Sequence, residues 1–142
     1  MPVKVEQARV DEWIKSIKEI HKIATDYDPE TNIRDIGTLR YIVFEGLSKR
    51  VNEKMKTDVE LGAFLMYNIA TKHPFWDGNK RTALVLGLLF VPKDKKPKIW
   101  ARILSLLDKD WGKREDSITK FMLELGEYKH TEKEVLQFLT GL

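Results

Sequence analysis

Residues 59–91 read VELGAFLMYNIATKHPFWDGNKRTALVLGLLFV, and this stretch decides the fold. Val59, Leu61, Ala63, Phe64, Leu65, Met66, Tyr67, Ile69 and Ala70 leave almost no polar face, the pattern of a helix buried on most of its sides. Thr82 to Val91 has the same character. Between the two lies a polar, turn-forming segment, Lys72 to Arg81. Two buried helices joined by such a turn predict a helical core with the turn displayed at one end of it.

Working outward, Trp13, Ile14, Ile17, Ile20 and Ala24 recur at helical spacing opposite Lys15, Lys18 and Glu19, which predicts an amphipathic helix over Val10 to Ala24. Thr25 to Gly37 collects Asp26, Asp28, Pro29, Asn32 and Gly37 and reads as a loop. Arg40 to Asn52 fits a short strand or a helix, and helix is the preferred reading. On the other side, Pro92 and the run Lys93 to Lys98 interrupt the pattern, and Pro97 can open a helix through Ile99, Trp100, Ile103, Leu106 and Leu107. Ile118, Phe121, Met122 and Leu125 form a further amphipathic stretch ending at Gly126. Thr131 and Glu134 form a capping-box pattern ahead of Val135, Leu136 and Leu139. No alternating strand pattern occurs. The expectation is an all-α fold, a compact helical bundle, with no repeat or linker to divide residues 1–142 into more than one domain.

Composition narrows the class. The 142 residues contain no cysteine, which removes disulfides, zinc–thiolate sites and cysteine nucleophiles and fits a cytoplasmic location. The longest apolar run, Ala83 to Val91, is far short of the roughly 18 residues of a membrane span, so no membrane association is expected. A formal charge of +3 gives no argument for nucleic acid as a partner.

The polar turn carries the chemistry. His73-Pro74-Phe75-Trp76-Asp77-Gly78-Asn79-Lys80-Arg81 can turn tightly at Asp77-Gly78-Asn79 into the second buried helix, whose first amides then lack intrahelical acceptors and favour an anion. Lys80 and Arg81 add a point charge and a bidentate fork beside that terminus. Asp77 offers a hard oxygen to Mg²⁺, which usually binds one or two carboxylates plus substrate phosphates. His73 can take a proton from a hydroxyl near neutral pH.

HPFWDGNKRTA resembles the signature of the Fic/Doc family, His-x-Phe-x-Asp/Glu-Gly/Ala-Asn-Gly/Lys-Arg. Six identities at ~5% usage each recur by chance on the order of 10⁻⁸ per starting position. Ile20-His21, Ile33-Arg34-Asp35-Ile36-Gly37-Thr38-Leu39 and Asn68-Ile69-Ala70 are similar to the Doc-like, death-on-curing branch, as is Phe121 to Leu139. Residues 92–116 resemble it least. The resemblance implies that His73 is the general base, Asp77 the Mg²⁺ ligand, Gly78 and Asn79 the anion hole, and Lys80 and Arg81 the phosphate ligands. Phe75 is then the aromatic that anchors the loop, and Asn32 to Tyr41 is the candidate flap that holds the acceptor. Trp76, inside the motif, is a candidate wall of the nucleotide site.

The branch matters for the reaction. AMP-transferring Fic proteins typically have Gly where this chain has Lys80 and a second Arg where it has Leu84, whereas Doc has the Lys and lacks that Arg. The resemblance therefore implies a toxin phosphotransferase moving the γ-phosphate of ATP or another NTP to a protein hydroxyl, with elongation factor Tu as the family's acceptor. Doc itself has Ala at the position of Gly78, so that residue does not separate the branches. Fic-type AMP or nucleotidyl transfer is the alternative, and a catalytically silent interaction module the third reading. No Ser/Thr-x-x-x-Glu-Gly/Asn inhibitory pattern occurs, so a separate antitoxin is the expected regulatory partner.

Outside the motif, the expectations are plain. His21 and His130 read as structural or solvated, and Lys93 to Lys98 as a solvated loop. Trp13, Trp100 and Trp111 read as core or subunit contacts, which leaves a homo-oligomer open.

Overall fold

The computed structural model describes residues 2–107, 110–111 and 116–142. Among these the chain is helical throughout: α1 (Gln7–Thr25), α2 (Pro29–Asn32), α3 (Ile36–Val51), α4 (Asp58–Lys72), α5 (Asn79–Leu88), α6 (Lys96–Leu107), α7 (Ser117–Gly126) and α8 (Glu132–Thr140). The only extended pairing among the described residues is an isolated antiparallel bridge between Ile33 and Phe75. None of the described helices is long and apolar enough to cross a membrane.

The two segments that decide the fold form its centre. Ten of the residues of α4, from Leu61 to Thr71, are buried, and α5 buries eight. α4 packs against α3, α5, α7 and α8, while α5 packs against α1, α4, α6 and α7. Their close approach depends on Gly87, where a Cβ would stand 2.8 Å from the Met66 sulfur on α4. The apolar stripe of α1, Val10, Ile14, Ile17 and Ala24, closes over α5, and the buried apolar residues make one continuous cluster.

Capping sets most of the helix ends. Asp35 accepts the Thr38 amide and opens α3, Thr57 does the same for α4, and Asp116 for α7. The expected capping box is formed: the Thr131 side chain accepts the Glu134 amide and Glu134 accepts the Thr131 amide.

Two boundaries differ from the sequence expectation. Thr25 to Gly37 is not one loop, because Pro29 at the first position of α2 and the Asp35 cap each start a helix inside it. The second buried helix stops at Leu88, and the amides of Leu89, Phe90 and Val91 donate to carbonyls three residues back, closing tight turns.

Candidate active site

The site begins where α4 stops. His73 is left-handed (φ 52°, ψ 62°), and its amide donates to the Ile69 carbonyl, turning the chain sharply out of the helix. Its imidazole lines a cavity of about 190 Å³ together with Trp76, Asp77, Gly78, Lys80 and Arg81, and with Trp111 and Leu123 from the C-terminal third of the chain. Burial lowers the imidazole's pKa below 6.5, and the positive charges of Lys80 and Arg34 push it the same way, so the ring is neutral at pH 7 and able to accept a proton.

The loop after His73 is held on three sides. Phe75 is fully buried and stacks on His21 of α1 with ring centroids 4.1 Å apart. His21, also fully buried, bonds the Asp77 carbonyl through Nε2 at 3.0 Å, which places the proton on Nε2 because a carbonyl only accepts. Asn79 turns its amide inward: Oδ1 accepts the Phe75 amide at 3.0 Å and Nδ2 donates to the Phe75 carbonyl at 2.8 Å. From the third side, the Asn32 carbonyl accepts the Trp76 amide and its Oδ1 accepts the Asp77 amide. The Arg34 and Asp35 amides both donate to the Pro74 carbonyl.

Gly78 connects this loop to α5. Its φ is +82°, and a Cβ there would stand 2.2 Å from the Thr25 methyl carbon, so only glycine lets the loop lie against α1. No side chain of the cap residue covers the start of α5, while the Asp77 carboxylate accepts the Gly78 amide at 2.7 Å. Lys80 runs over the last residue of α7, where a Cβ on Gly126 would meet its Cε at 2.8 Å. The Arg81 guanidinium donates to the carbonyl of Leu107, the last residue of α6, and lies 4.6 Å over the Trp111 ring. Arg81, Asp77 and Gly78 also line a second hollow of about 230 Å³ with Thr25, Tyr27 and Leu107.

All the residues singled out in the motif therefore meet in one place, with two distinctions. The Asn79 side chain is fully engaged with Phe75, leaving its backbone amide as the group that can face an anion. Phe75 is wholly in the core, in keeping with an anchoring part. The candidate flap divides: from Ile36 onward it is the first turns of α3, so only Asn32 to Asp35 runs beside the loop. His21, Asn32 and Arg34 brace the site: Asn32 and Arg34 lie in the segment expected to be the flap but bond the loop's backbone, and His21, expected to be structural or solvated, bonds the Asp77 carbonyl. Of these, His21 had a legible signal, since it continues the Val10, Ile14, Ile17 stripe. Trp111 belongs to the site as well as the core. A larger hollow of about 810 Å³ between the N-terminal segment, α3 and α8 holds none of the motif's groups, so chemistry and not size identifies the site.

Among the described residues, no three histidines, cysteines, aspartates or glutamates cluster as a metal cage. The lone Asp77 carboxylate matches a cation held jointly with a ligand's phosphates.

With an imidazole, a carboxylate and two cations around the start of α5, comparison with known families becomes decisive: the description Fic/DOC family matches residues 11–91, more than half of the chain. The chain belongs to the Fic/DOC family. No curated protein and no solved structure matches it. Members of the Fic/DOC family are typically enzymes that transfer nucleotide moieties to proteins, generally from nucleoside triphosphates and often with Mg²⁺. The match covers α1 to α5 and stops before α6, so Leu107, Trp111, Leu123 and Gly126 reach this Fic/DOC site from beyond the matched residues.

Proposed function

We propose that this protein is a Doc-like phosphotransferase that moves the γ-phosphate of a nucleoside triphosphate to a hydroxyl of a target protein. The observation that carries this reading is the placement of positive charge along α5. Lys80 lines the His73 cavity and is close enough to bear on the imidazole's proton affinity. Leu84, where AMP-transferring relatives have a second arginine, is fully buried in the core. Cationic side chains from α5 thus stand at one end of the motif and are lacking at the other, which favours the pose that sets the terminal phosphate beside His73.

In that pose the neutral His73 ring takes the proton of the acceptor hydroxyl as its oxygen bonds to the γ-phosphorus. The bond from that phosphorus to the β–γ bridging oxygen breaks, and the nucleoside diphosphate departs with Lys80 and Arg81 offsetting the charge that builds on it. Asp77 is the residue that would hold Mg²⁺, whose contribution when bound is to neutralise phosphate charge. A separate antitoxin and a cytoplasmic setting complete the reading.

Transfer of label decides it. Wild-type protein is expected to mark an acceptor protein from γ-labelled ATP or GTP and not from α-labelled nucleotide, with Lys80→Gly moving the preference toward α-label. Transfer of α-label by the wild type would overturn the phosphotransferase assignment in favour of AMP transfer.

A further inference from the structure

Three consecutive carbonyls at the point where α4 gives way to the active-site loop converge on one residue. The Arg34 guanidinium donates through Nη2 to the Lys72 carbonyl at 2.8 Å and through Nε to the His73 carbonyl at 2.7 Å. The Arg34 backbone amide donates to the Pro74 carbonyl at 2.8 Å. The carbonyls at this end would otherwise be orphans, as at any helix terminus. Here they flank a histidine in the left-handed region, a conformation that is unfavourable for a non-glycine residue and persists only where its surroundings impose it.

We propose that Arg34 is a positioning residue for the transfer reaction: by gathering the carbonyls of residues 72, 73 and 74 it fixes the backbone turn that aims the His73 imidazole into the cavity. The inference rests on the reading of His73 as the base, and it adds a residue whose guanidinium bonds the loop's backbone and does not line the His73 cavity. A planar fork suits the task, since one guanidinium reaches two adjacent carbonyls with a fixed angle between its donors and a lysine ammonium does not. Neighbouring contacts divide the work differently. The Tyr128 hydroxyl holds the Thr71 carbonyl, one residue earlier, and Asn32 holds Trp76 and Asp77, two residues later, so the span across His73 itself falls to Arg34.

Arg34 also lends charge. Facing His73 are Lys80 from α5 and Arg34 from the α2–α3 connection, with Asp77 and Arg81 on the same cavity wall and Lys72 preceding it in the chain. Two substitutions separate charge from geometry. Arg34→Gln removes both, whereas Arg34→Lys keeps the charge and loses the fork.

The test is a pH titration of the imidazoles by NMR, practicable because the chain has only three histidines, combined with steady-state transfer of γ-label. In Arg34→Gln, the His73 midpoint is expected to move up toward 6.5, the backbone amide signals of residues 72 and 73 to shift, and kcat to fall on the order of 10- to 100-fold with nucleotide KM within about twofold. In Arg34→Lys, the midpoint stays near its wild-type position while the amide shifts and the loss in kcat remain. Arg34→Gln with unchanged midpoint and unchanged amide signals would overturn the inference, as would an effect confined to KM. Should the glutamine variant fail to fold, unchanged amide signals and kcat in the lysine variant overturn it equally. If wild-type protein transfers no label at all, the reaction assignment fails on that result, and the titration and amide shifts still decide whether Arg34 places His73.

Discussion

Replacing Gly78 by alanine should damage the protein by two additive routes, and a second substitution can separate them. At φ +82° the new side chain costs about 1–2 kcal/mol for a left-handed backbone. Its Cβ, 2.2 Å from the Thr25 Cγ2 and 3.3 Å from His21 Nε2, cannot be accommodated without moving α1 or the loop, and overpacking of this kind costs about 1–3 kcal/mol. The lower entropy of the unfolded alanine chain offsets about 0.4–1 kcal/mol of this. The net loss should be about 2–4 kcal/mol, a large part of the ~5–15 kcal/mol that holds a domain together. Thr25→Ser removes the clashing methyl group and keeps the hydroxyl that donates to the His21 carbonyl and accepts the Tyr27 amide. Urea unfolding of the four proteins in this cycle measures the interaction directly. Gly78→Ala should cost about 1–3 kcal/mol less in the Thr25→Ser background than in the wild type, because the 2.2 Å clash is then gone and only the backbone term and the milder 3.3 Å contacts remain. Equal losses in the two backgrounds would refute the packing argument, and a loss below ~0.5 kcal/mol in the wild-type background would refute the whole account of this glycine.

Four further outcomes are expected. Asn79→Ala leaves the buried Phe75 amide and carbonyl without partners and should cost about 2–4 kcal/mol by urea unfolding, with disorder of residues 75–77 visible as lost amide protection. His73→Ala should reduce transfer about 10²–10⁴-fold while leaving nucleotide affinity within a few-fold. In the wild type the acid limb of the rate should have its midpoint below 6.5, because the lowered pKa keeps the base free as pH falls. The same depression means that His73's contribution to stability is full above 6.5 and is lost as pH falls through the folded-state value, which acid-side unfolding curves of wild type and His73→Ala can check.

The sequence was most legible where periodicity was strong. The runs of α4 and α5 admit few readings other than buried helices, and the capping box at Thr131 named its own terminus. The start of α3 was obscured because Ile36-Gly37-Thr38 looks like a turn, although the Asp35 side chain that caps it is a helix signal in its own right. Within the site, the motif brought its members together because they lie within nine consecutive positions, His73 to Arg81. Its supports were hidden for the opposite reason: Arg34 is 39 positions from the His73 carbonyl it bonds, and His21 is 56 from Asp77. Trp111 had only the appearance of a core residue, since nothing in a linear reading places an indole beneath Arg81.

Three of the groups that would meet phosphate already face something negative. The Gly78 amide has the Asp77 carboxylate, the Arg81 guanidinium has the carbonyl at the end of α6, and the Lys80 stem lies across the end of α7, where the helix dipole is negative. On the proposed reading, nucleotide binding would exchange internal surrogates for real anions rather than capture them by naked charge. An isolated anion displacing one surrogate gains only the difference between two similar partners. A chain of linked phosphates would displace several at once and gather those differences together, so the proposed reading implies selectivity for a polyphosphate over a lone phosphate. Because two of the surrogates are the ends of α6 and α7, beyond the residues that match the Fic/DOC family, the least familiar part of the chain would set the threshold a nucleotide must exceed.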